Sequence, residues 1–187
     1  LLAMIAGFIF LRLRGILGKR TGFEGKNPQQ FQEILKEVHQ ESNLKQQENF
    51  DKKAQNEFLK GAKIAYETII TDFSDNDNKL TRSKPLLSNK IQDQFNEALK
   101  ERSKRGHYAE ITFIGINSAD IKEHKKNNSI LKVTVDFVAE VITSIKDKDK
   151  KIVSGDPEKI KKIYDTWVFS RDIRSPNPNW QLIDILT

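Results

Sequence analysis

The stretch LKVTVDFVAEVIT, residues 131–143, decides the fold that we expect for this chain. Its apolar residues recur at every second position, which is the period of a β-strand with one buried face. Lys132, Thr134, Asp136 and Glu140 occupy positions between them. The apolar face consists of Leu131, Val133, Val135, Phe137, Ala139 and Val141. The stretch therefore predicts one long strand with a clean apolar face.

Alternating stretches on both sides of it predict further strands. The basic run 146–151 is interpreted as the loop of a hairpin, and Ile152 and Val153 as a return strand that stops at Gly155-Asp156-Pro157. A turn is expected over 175–179, where proline and asparagine alternate. Strands are expected, in order, over 111–116, 131–141, 152–153, 165–171 and 180–185.

Two helices are predicted before the strands, because apolar residues there recur at helical spacing. A polar connection over 74–84 separates them, Pro85 can open the second helix, and Gly106 ends it. The two stripes are Phe58, Ala62, Ala65, Ile69 and Phe73, and then Leu87, Ile91, Phe95, Ala98 and Leu99. Helices followed by consecutive strands predict an α+β fold, with both helices on one face of a curved, mainly antiparallel sheet.

A curved sheet closed over by helices forms a cone, and a cone favours an apolar pocket. Five aromatic residues are candidates for the pocket lining: Tyr66, Phe113, Phe137, Trp167 and Trp180. The alternative for each of them is that it simply fills the core.

The chain offers little catalytic chemistry. It has no cysteine, which excludes disulfides, thiolate metal sites and a thiol nucleophile. None of its three histidines has metal-ligand spacing, and the group Asp120, Glu123 and His124 is expected to be solvated surface. We therefore expect no catalytic residues, no metal, no cofactor and no enzymatic activity. The alternative is a pocket in which Asp136 or Glu140 acts as a general base in weak isomerase-like chemistry.

The N-terminus is apolar over its first eleven residues and predicts a membrane anchor. The anchor residues are Leu1, Leu2, Ile5, Phe8, Ile9, Phe10 and Leu11. Eleven helical residues cover about 16 Å, whereas a hydrocarbon core of about 30 Å needs some 20 residues. Because the chain begins with leucine, we expect the true start upstream. The alternative is a buried helix of the globular domain.

The cations Arg12, Arg14, Lys19 and Arg20 follow the apolar run. Their position after it, rather than before it, differs from a secretory signal and predicts that this side stays in the cytoplasm. They are expected to contact anionic lipid, at about 1 kcal/mol each near the surface. The unmixed cluster favours a membrane over nucleic acid, since the loop 146–151 alternates lysine with aspartate and makes a poor phosphate track. Ribosome or RNA docking is a weaker possibility.

The remaining segment, 25–53, is interpreted as a polar tether. It carries one short amphipathic helix that begins at Asn27-Pro28 and presents Phe31, Ile34, Leu35 and Val38. The predicted organisation is therefore an anchor with a basic flank (1–24), a tether (25–53) and a globular α+β domain (54–187).

Several segments together resemble the Tim44-like domain family. FLRLRGILGKRTGFE (10–24) looks like the segment after the anchor in bacterial members, and FLKGAKIAYETIITDFSDND (58–77) is similar to the first long helix of the family. LKVTVDFVAEVIT resembles its long strand, and SGDP (154–157) its hairpin turn. DTWVFSRD (165–172) and SPNPNWQLI (175–183) resemble its closing strands.

The resemblance implies a fold similar to the nuclear transport factor two-like cone and a non-enzymatic, membrane-associated protein. The mitochondrial member of the family tethers an ATP-driven chaperone motor to a protein import channel and contacts cardiolipin. The leading hypothesis is thus a membrane-tethered adaptor on the cytoplasmic face of a bacterial inner membrane. It would bind anionic lipid such as cardiolipin and a protein partner in translocation or complex assembly. The alternative is a cone that binds a small molecule or lipid.

Overall fold

The long strand expected from residues 131–143 is present as β2, which runs from Ile130 to Lys146. The computed structural model describes residues 50–75, 77, 79–177 and 179–186. β2 lies between β1 (Tyr108–Asn127) and β3 (Ile152–Asp172), and β4 (Gln181–Leu186) pairs with β3 near its C-terminal end. Every pairing is antiparallel, and the order in this open sheet is β1-β2-β3-β4.

Two helices precede the sheet, as predicted, and the α+β class is confirmed. α1 spans Lys52–Ser74 and α2 spans Asn89–Lys104. The start of α1 is fixed by Asp51, whose carboxylate accepts a hydrogen bond from the backbone N–H of Ala54 at 2.8 Å. Such an N-cap satisfies one of the amides that the first helical turn leaves without a partner.

The core lies between the helices and one face of the sheet. The six apolar residues of the β2 stripe are each at most 4% exposed. They share one core cluster with the buried residues of both helices. The helix residues of that cluster are Phe58, Ala62, Ala65, Tyr66, Ile69, Ile70 and Phe73 from α1, and Ile91, Phe95 and Leu99 from α2. The apolar face of β2 and the apolar stripes of the two helices therefore pack together in one core layer.

The end of α1 is held by two buried charged side chains. The carboxylate of Asp72 accepts hydrogen bonds from the backbone N–H of Ser83 (2.8 Å), its hydroxyl (2.6 Å) and the backbone N–H of Arg82 (3.1 Å). From α2, Arg102 donates to the carbonyl oxygens of Phe73 (2.9 Å) and Asp75 (2.8 Å). These bonds fix the connection between the helices and satisfy carbonyls that the last turn of α1 leaves open.

The prediction that the return strand stops at Gly155-Asp156-Pro157 is wrong. β3 continues through these residues and joins the two strands that the sequence separated. Gly155 and Asp156 pair with β2, and residues 157–159 form a bulge instead of an end, because the register passes from Thr143↔Asp156 directly to Ile142↔Ile160. Gly155 has φ +81°, and a Cβ there would clash with the backbone oxygen of Thr143. A bulge of this kind bends and twists a strand without ending it.

Two other boundaries differ from prediction. Pro85 lies in a short 3-10 helix (Lys84–Leu86), and α2 begins only after Ser88. β1 was expected over 111–116 but continues to Asn127. Its second half is polar because it is an edge strand with an exposed face, and three register shifts against β2 interrupt its alternation.

The predicted anchor Leu1–Leu11, the cations behind it and the amphipathic helix of the tether lie outside the described residues. Within the ranges that the structure describes, no helix is long and apolar enough to cross a membrane.

Candidate binding site

Four of the five predicted pocket residues form one aromatic cluster between α1 and the sheet. Tyr66 of α1 stacks on Phe137 of β2, with ring centroids 4.5 Å apart and an interplanar angle of 23°. The Tyr66 ring centroid lies 4.5 Å from the Trp167 ring centroid and 6.2 Å from the Phe113 ring centroid. Tyr66, Phe137 and Trp167 are at most 2% exposed. This cluster sits at the centre of the contact between helix and sheet.

A half-buried carboxyl group closes this cluster. Asp165 lies on the same face of β3 as Trp167 and accepts a 2.5 Å hydrogen bond from the Tyr66 hydroxyl. Burial raises the pKa of Asp165, and the bond from Tyr66 lowers it by a smaller amount. Burial and the neighbouring carboxylate both raise the pKa of Tyr66. Because Tyr66 is wholly buried, this pair positions α1 on the sheet.

Trp180, the fifth predicted residue, belongs to a second aromatic group near the start of α1. Its ring centroid is 4.5 Å from that of Phe58 and 6.1 Å from that of Phe50. Phe169 joins the two groups, at 5.8 Å from Phe58 and 6.4 Å from Phe137. The predicted set is thus divided between two neighbouring clusters.

An apolar cavity of about 170 Å³ opens beside this second group. Its lining combines small residues of α1 with aromatic rings from α1, from β3 and from the segment before β4. The lining consists of Phe58, Gly61, Ala62, Ala65, Leu86, Phe169, Asn179 and Trp180. Gly61 borders this space without a side chain, and a Cβ built there meets nothing within 4 Å. Its volume suits a small apolar group, and Asn179 supplies the polar side chain of the lining.

The two candidate general bases lie on the opposite face of the sheet. Asp136 and Glu140 alternate with the buried residues of β2 and are half-buried. Asp136 accepts a hydrogen bond from the Thr166 hydroxyl at 2.5 Å, and Glu140 forms an ion pair with Lys162 at 3.8 Å. Neither carboxylate faces the aromatic clusters or the cavity. The structure therefore places neither Asp136 nor Glu140 where the isomerase alternative needs a base.

Asp120 and Glu123 on β1 are exposed, as expected, whereas His124 is half-buried. Glu123 forms an ion pair with Lys125 at 2.9 Å, whereas the His124 ring packs against Phe50 with centroids 5.2 Å apart. Within the described ranges, no group of three or more histidine and acidic residues is arranged to hold a metal ion.

Sequence reasoning missed Phe50 and Asp165. Phe50 is 3% exposed and belongs to the core cluster, although it lies in the stretch interpreted as tether. It is a lone aromatic residue in polar sequence, which gives no periodic signal. Asp165 had a signal, because it shares the alternating positions of Trp167 and Phe169, and an acid on a buried face needs a partner there.

Comparison with known proteins places this fold in context. The intermembrane space region of the chloroplast protein ARC6 aligns with a TM-score of 0.45 and 12% identity, over 69% of this chain and 96% of that one. The "Probable mitochondrial import inner membrane translocase subunit tin-44" of Caenorhabditis elegans is 28% identical over 178 residues. That alignment covers 92% of this chain and 39% of the relative. The sequence profile of the Tim44-like domain matches residues 40–187, and the chain therefore belongs to the Tim44-like domain family.

Proposed function

We propose that this protein is a non-enzymatic, membrane-tethered adaptor that acts in protein translocation or in the assembly of a membrane complex. The observation that carries the proposal is the match of residues 40–187 to the Tim44-like domain. The similar Caenorhabditis elegans protein bears the name of an import inner membrane translocase subunit, which supports the same direction. The chain spans 39% of that relative, so the partners of the longer protein are attributed to this chain only as part of the proposal.

Membrane attachment is assigned to residues 1–24. The apolar run Leu1–Leu11 would enter the bilayer, and Arg12, Arg14, Lys19 and Arg20 would lie at its surface. Four cations next to an apolar segment attract anionic headgroups, cardiolipin among them, and bias this side of the segment toward the cytoplasm. We place the protein at the cytoplasmic face of a bacterial inner membrane, with a cone similar to nuclear transport factor two as its globular domain.

Crosslinking of the full chain in intact cells tests the adaptor role. A photoreactive residue in place of Tyr164, whose side chain is 73% exposed, samples the surface of the sheet. We expect a discrete adduct with a protein of the membrane fraction, and we expect its loss when residues 1–24 are removed. The same adduct from a chain without residues 1–24 would contradict a tethered adaptor.

A second candidate function is the binding of a small apolar ligand, favoured by the cavity beside Trp180. Benzene is a suitable probe, because a cavity of this size holds a small apolar molecule, and Trp180 fluorescence is the readout. We expect saturable quenching that Ala62→Leu abolishes, because the added side chain fills the cavity. Unchanged quenching in Ala62→Leu, or the absence of quenching in the parent protein, would exclude this candidate.

A further inference from the structure

The globular domain receives its N-terminal chain beside the cavity at Trp180. Phe50 is 3% exposed, and its ring centroid lies 6.1 Å from that of Trp180 and 5.8 Å from that of Phe58. Both of these rings line the cavity. The side-chain amide of Gln55 donates a hydrogen bond to the Phe50 carbonyl at 2.9 Å, which holds the backbone at this point. The residues that precede Phe50 therefore start next to the cavity.

The cavity has the size of one phenyl ring. Its volume is about 170 Å³ and its lining is mainly apolar. A dry apolar cavity of about 150 Å³ binds benzene. The cavity reaches the surface, because its lining residue Gly61 is exposed and Leu86 and Trp180 are half-buried. Ile64 follows Gly61 by about one helical turn and is 67% exposed. A short helix fits this surface if it carries one ring for the cavity and aliphatic side chains for Ile64.

The segment 28–38 carries that combination. Four apolar residues recur in it at helical spacing and therefore share one face of a helix. They are Phe31, Ile34, Leu35 and Val38. Phe31 supplies the only phenyl ring of the sequence between Phe23 and Phe50. Because an isolated helix shorter than about 12–15 residues is marginal in water, this segment needs a surface to pack against.

The covalent link makes this segment the favoured occupant of the cavity. Residues 39–49 separate Val38 from Phe50. A flexible chain of that length spans about 18 Å on average, and Phe50 itself lies beside the cavity. A linker that matches the span raises the local concentration of a ligand to the millimolar range. A free molecule or a second copy of equal intrinsic affinity would need that concentration to compete.

We propose that residues 28–38 dock as a helix on this domain, with the Phe31 ring in the cavity beside Trp180 and aliphatic side chains of the segment against Ile64. This inference deepens the second candidate function, because it names the occupant of that cavity. Its consequence rests on the proposed adaptor function. Residues 25–27 alone then separate the docked helix from the membrane segment 1–24. The domain is thereby held against the membrane surface instead of at the end of a free tether.

The experiment observes Trp180 in the full chain, which is labelled with 5-fluorotryptophan and reconstituted in lipid nanodiscs. The chain has two tryptophans, so its fluorine NMR spectrum has two signals, and Trp180→Phe assigns them. We expect Phe31→Ala to shift the Trp180 signal alone, because Trp180 lines the cavity and Trp167 lies in the aromatic cluster around Tyr66. Phe23→Ala removes an equal ring outside the segment and should leave both signals unchanged.

A second variant tests whether the shift comes from the cavity. Gly61→Leu adds a side chain at the cavity, on an exposed helix position where a Cβ meets nothing within 4 Å, so the fold tolerates it. Once Gly61→Leu blocks the cavity, Phe31→Ala should cause no further shift of the Trp180 signal. A full further shift would overturn the docking site.

Benzene titration of the same proteins separates this inference from the second candidate function. The Phe31 ring has to leave before benzene binds, so benzene should bind Phe31→Ala at least about fivefold more tightly than the parent protein. Equal affinities would overturn the inference and leave the second candidate function in place. Absence of binding from both proteins would overturn both, since the site would not accept a ring.

Two other results of the fluorine experiment would overturn the proposal. One is an unchanged Trp180 signal in Phe31→Ala, which is expected if the segment lies on the membrane or on another protein. The other is recovery of the parent signal when labelled Phe31→Ala is reconstituted together with unlabelled parent chain, since a second copy then supplies the ring. Neither result depends on the partner that crosslinking in cells detects. The adaptor role and this inference can therefore fail separately.

Discussion

Tyr66 and Asp165 show how single side chains fix the site. The phenol is completely buried and donates to a carboxyl group whose pKa burial has raised. The pair links α1 to β3 across 99 residues of sequence, beside rings that stack within 4.5 Å. Without this donor the half-buried carboxyl group would lose its hydrogen bond from Tyr66, and an unsatisfied buried acceptor costs about 1–3 kcal/mol. The pair therefore stabilises the one orientation of α1 that aligns the aromatic cluster.

Removal of the Tyr66 hydroxyl should raise the pKa of Asp165 further. The folded-state pKa is already above the unfolded value of about 3.9. The folded protein thus binds this proton more tightly than the unfolded chain does. The contribution of Asp165 to stability is fully present below pH 3.9 and falls as the pH rises through the folded-state pKa. Tyr66→Phe removes the bond that lowers the pKa, so the fall should extend to higher pH.

NMR titration of the Asp165 carboxyl carbon in the parent protein and in Tyr66→Phe measures both pKa values. Asp165→Asn is the matched control for stability, because it retains an acceptor for the Tyr66 hydroxyl and should remove this part of the pH dependence. An Asp165 pKa that falls in Tyr66→Phe would contradict the account.

Arg102 is the second residue whose loss should be severe. It is 2% exposed and donates to two carbonyls at the end of α1. We expect Arg102→Met to lower the free energy of unfolding by about 2–4 kcal/mol, because the buried carbonyl of Phe73 and the part-buried carbonyl of Asp75 both lose this donor. Urea denaturation measures the change, with exposed Arg105→Ala as the control at about 0.5 kcal/mol or less. Equal stabilities of the two variants would show that Arg102 does not hold the helix end.

At the scale of elements, the two helices and β2 were predictable and the course of β3 was not. The apolar stripes of α1, α2 and β2 have regular periods that survive in the core. β3 contains Gly155-Asp156-Pro157, which is a strong local turn signal. Here the ladder to β2 extends beyond it on both sides, since residues 152–156 and 160–172 both pair with that strand. Tertiary pairing outweighed local turn chemistry, and single-sequence patterns do not report on that balance.

Two glycines of these elements should respond oppositely to alanine. Gly61 is exposed within α1, and a Cβ there meets nothing within 4 Å. Gly61→Ala should raise the free energy of unfolding by about 0.5–1 kcal/mol, because alanine has the higher helix propensity. Gly155 has φ +81°, where an added Cβ clashes with the β2 backbone, so Gly155→Ala should destabilise by at least about 1–3 kcal/mol. Thermal and urea unfolding measure both, and stabilisation by Gly155→Ala would contradict the positive φ and the close backbone contact of Gly155.

At the scale of the whole molecule, the sequence predicted which aromatic residues lie on the core side of the sheet and helices, but not how they are grouped. Large aromatic residues on buried faces were recognisable from periodicity, and three of them, Phe113, Phe137 and Trp167, do meet around Tyr66. Their division into two clusters depends on Phe50 and on the turn before β4, neither of which carries a periodic pattern. The outward placement of Asp136 and Glu140 follows from the alternation of β2. Asp136 and Glu140 could line a pocket only if the helices covered their face of the sheet, and the helices cover the other face.

The molecule as proposed joins a folded Tim44-like domain to a membrane segment, and flotation with vesicles tests that claim most directly. Vesicles that contain cardiolipin are mixed with the full chain, with a chain that begins at residue 25, and with a full chain in which Arg12, Arg14, Lys19 and Arg20 are replaced by glutamine. We predict that the full chain floats in low and in high salt and that the four-glutamine chain floats less at low salt. The chain that begins at residue 25 should stay at the bottom in high salt. If the chain that begins at residue 25 floats in high salt to the same extent as the full chain, residues 1–24 are not the membrane anchor.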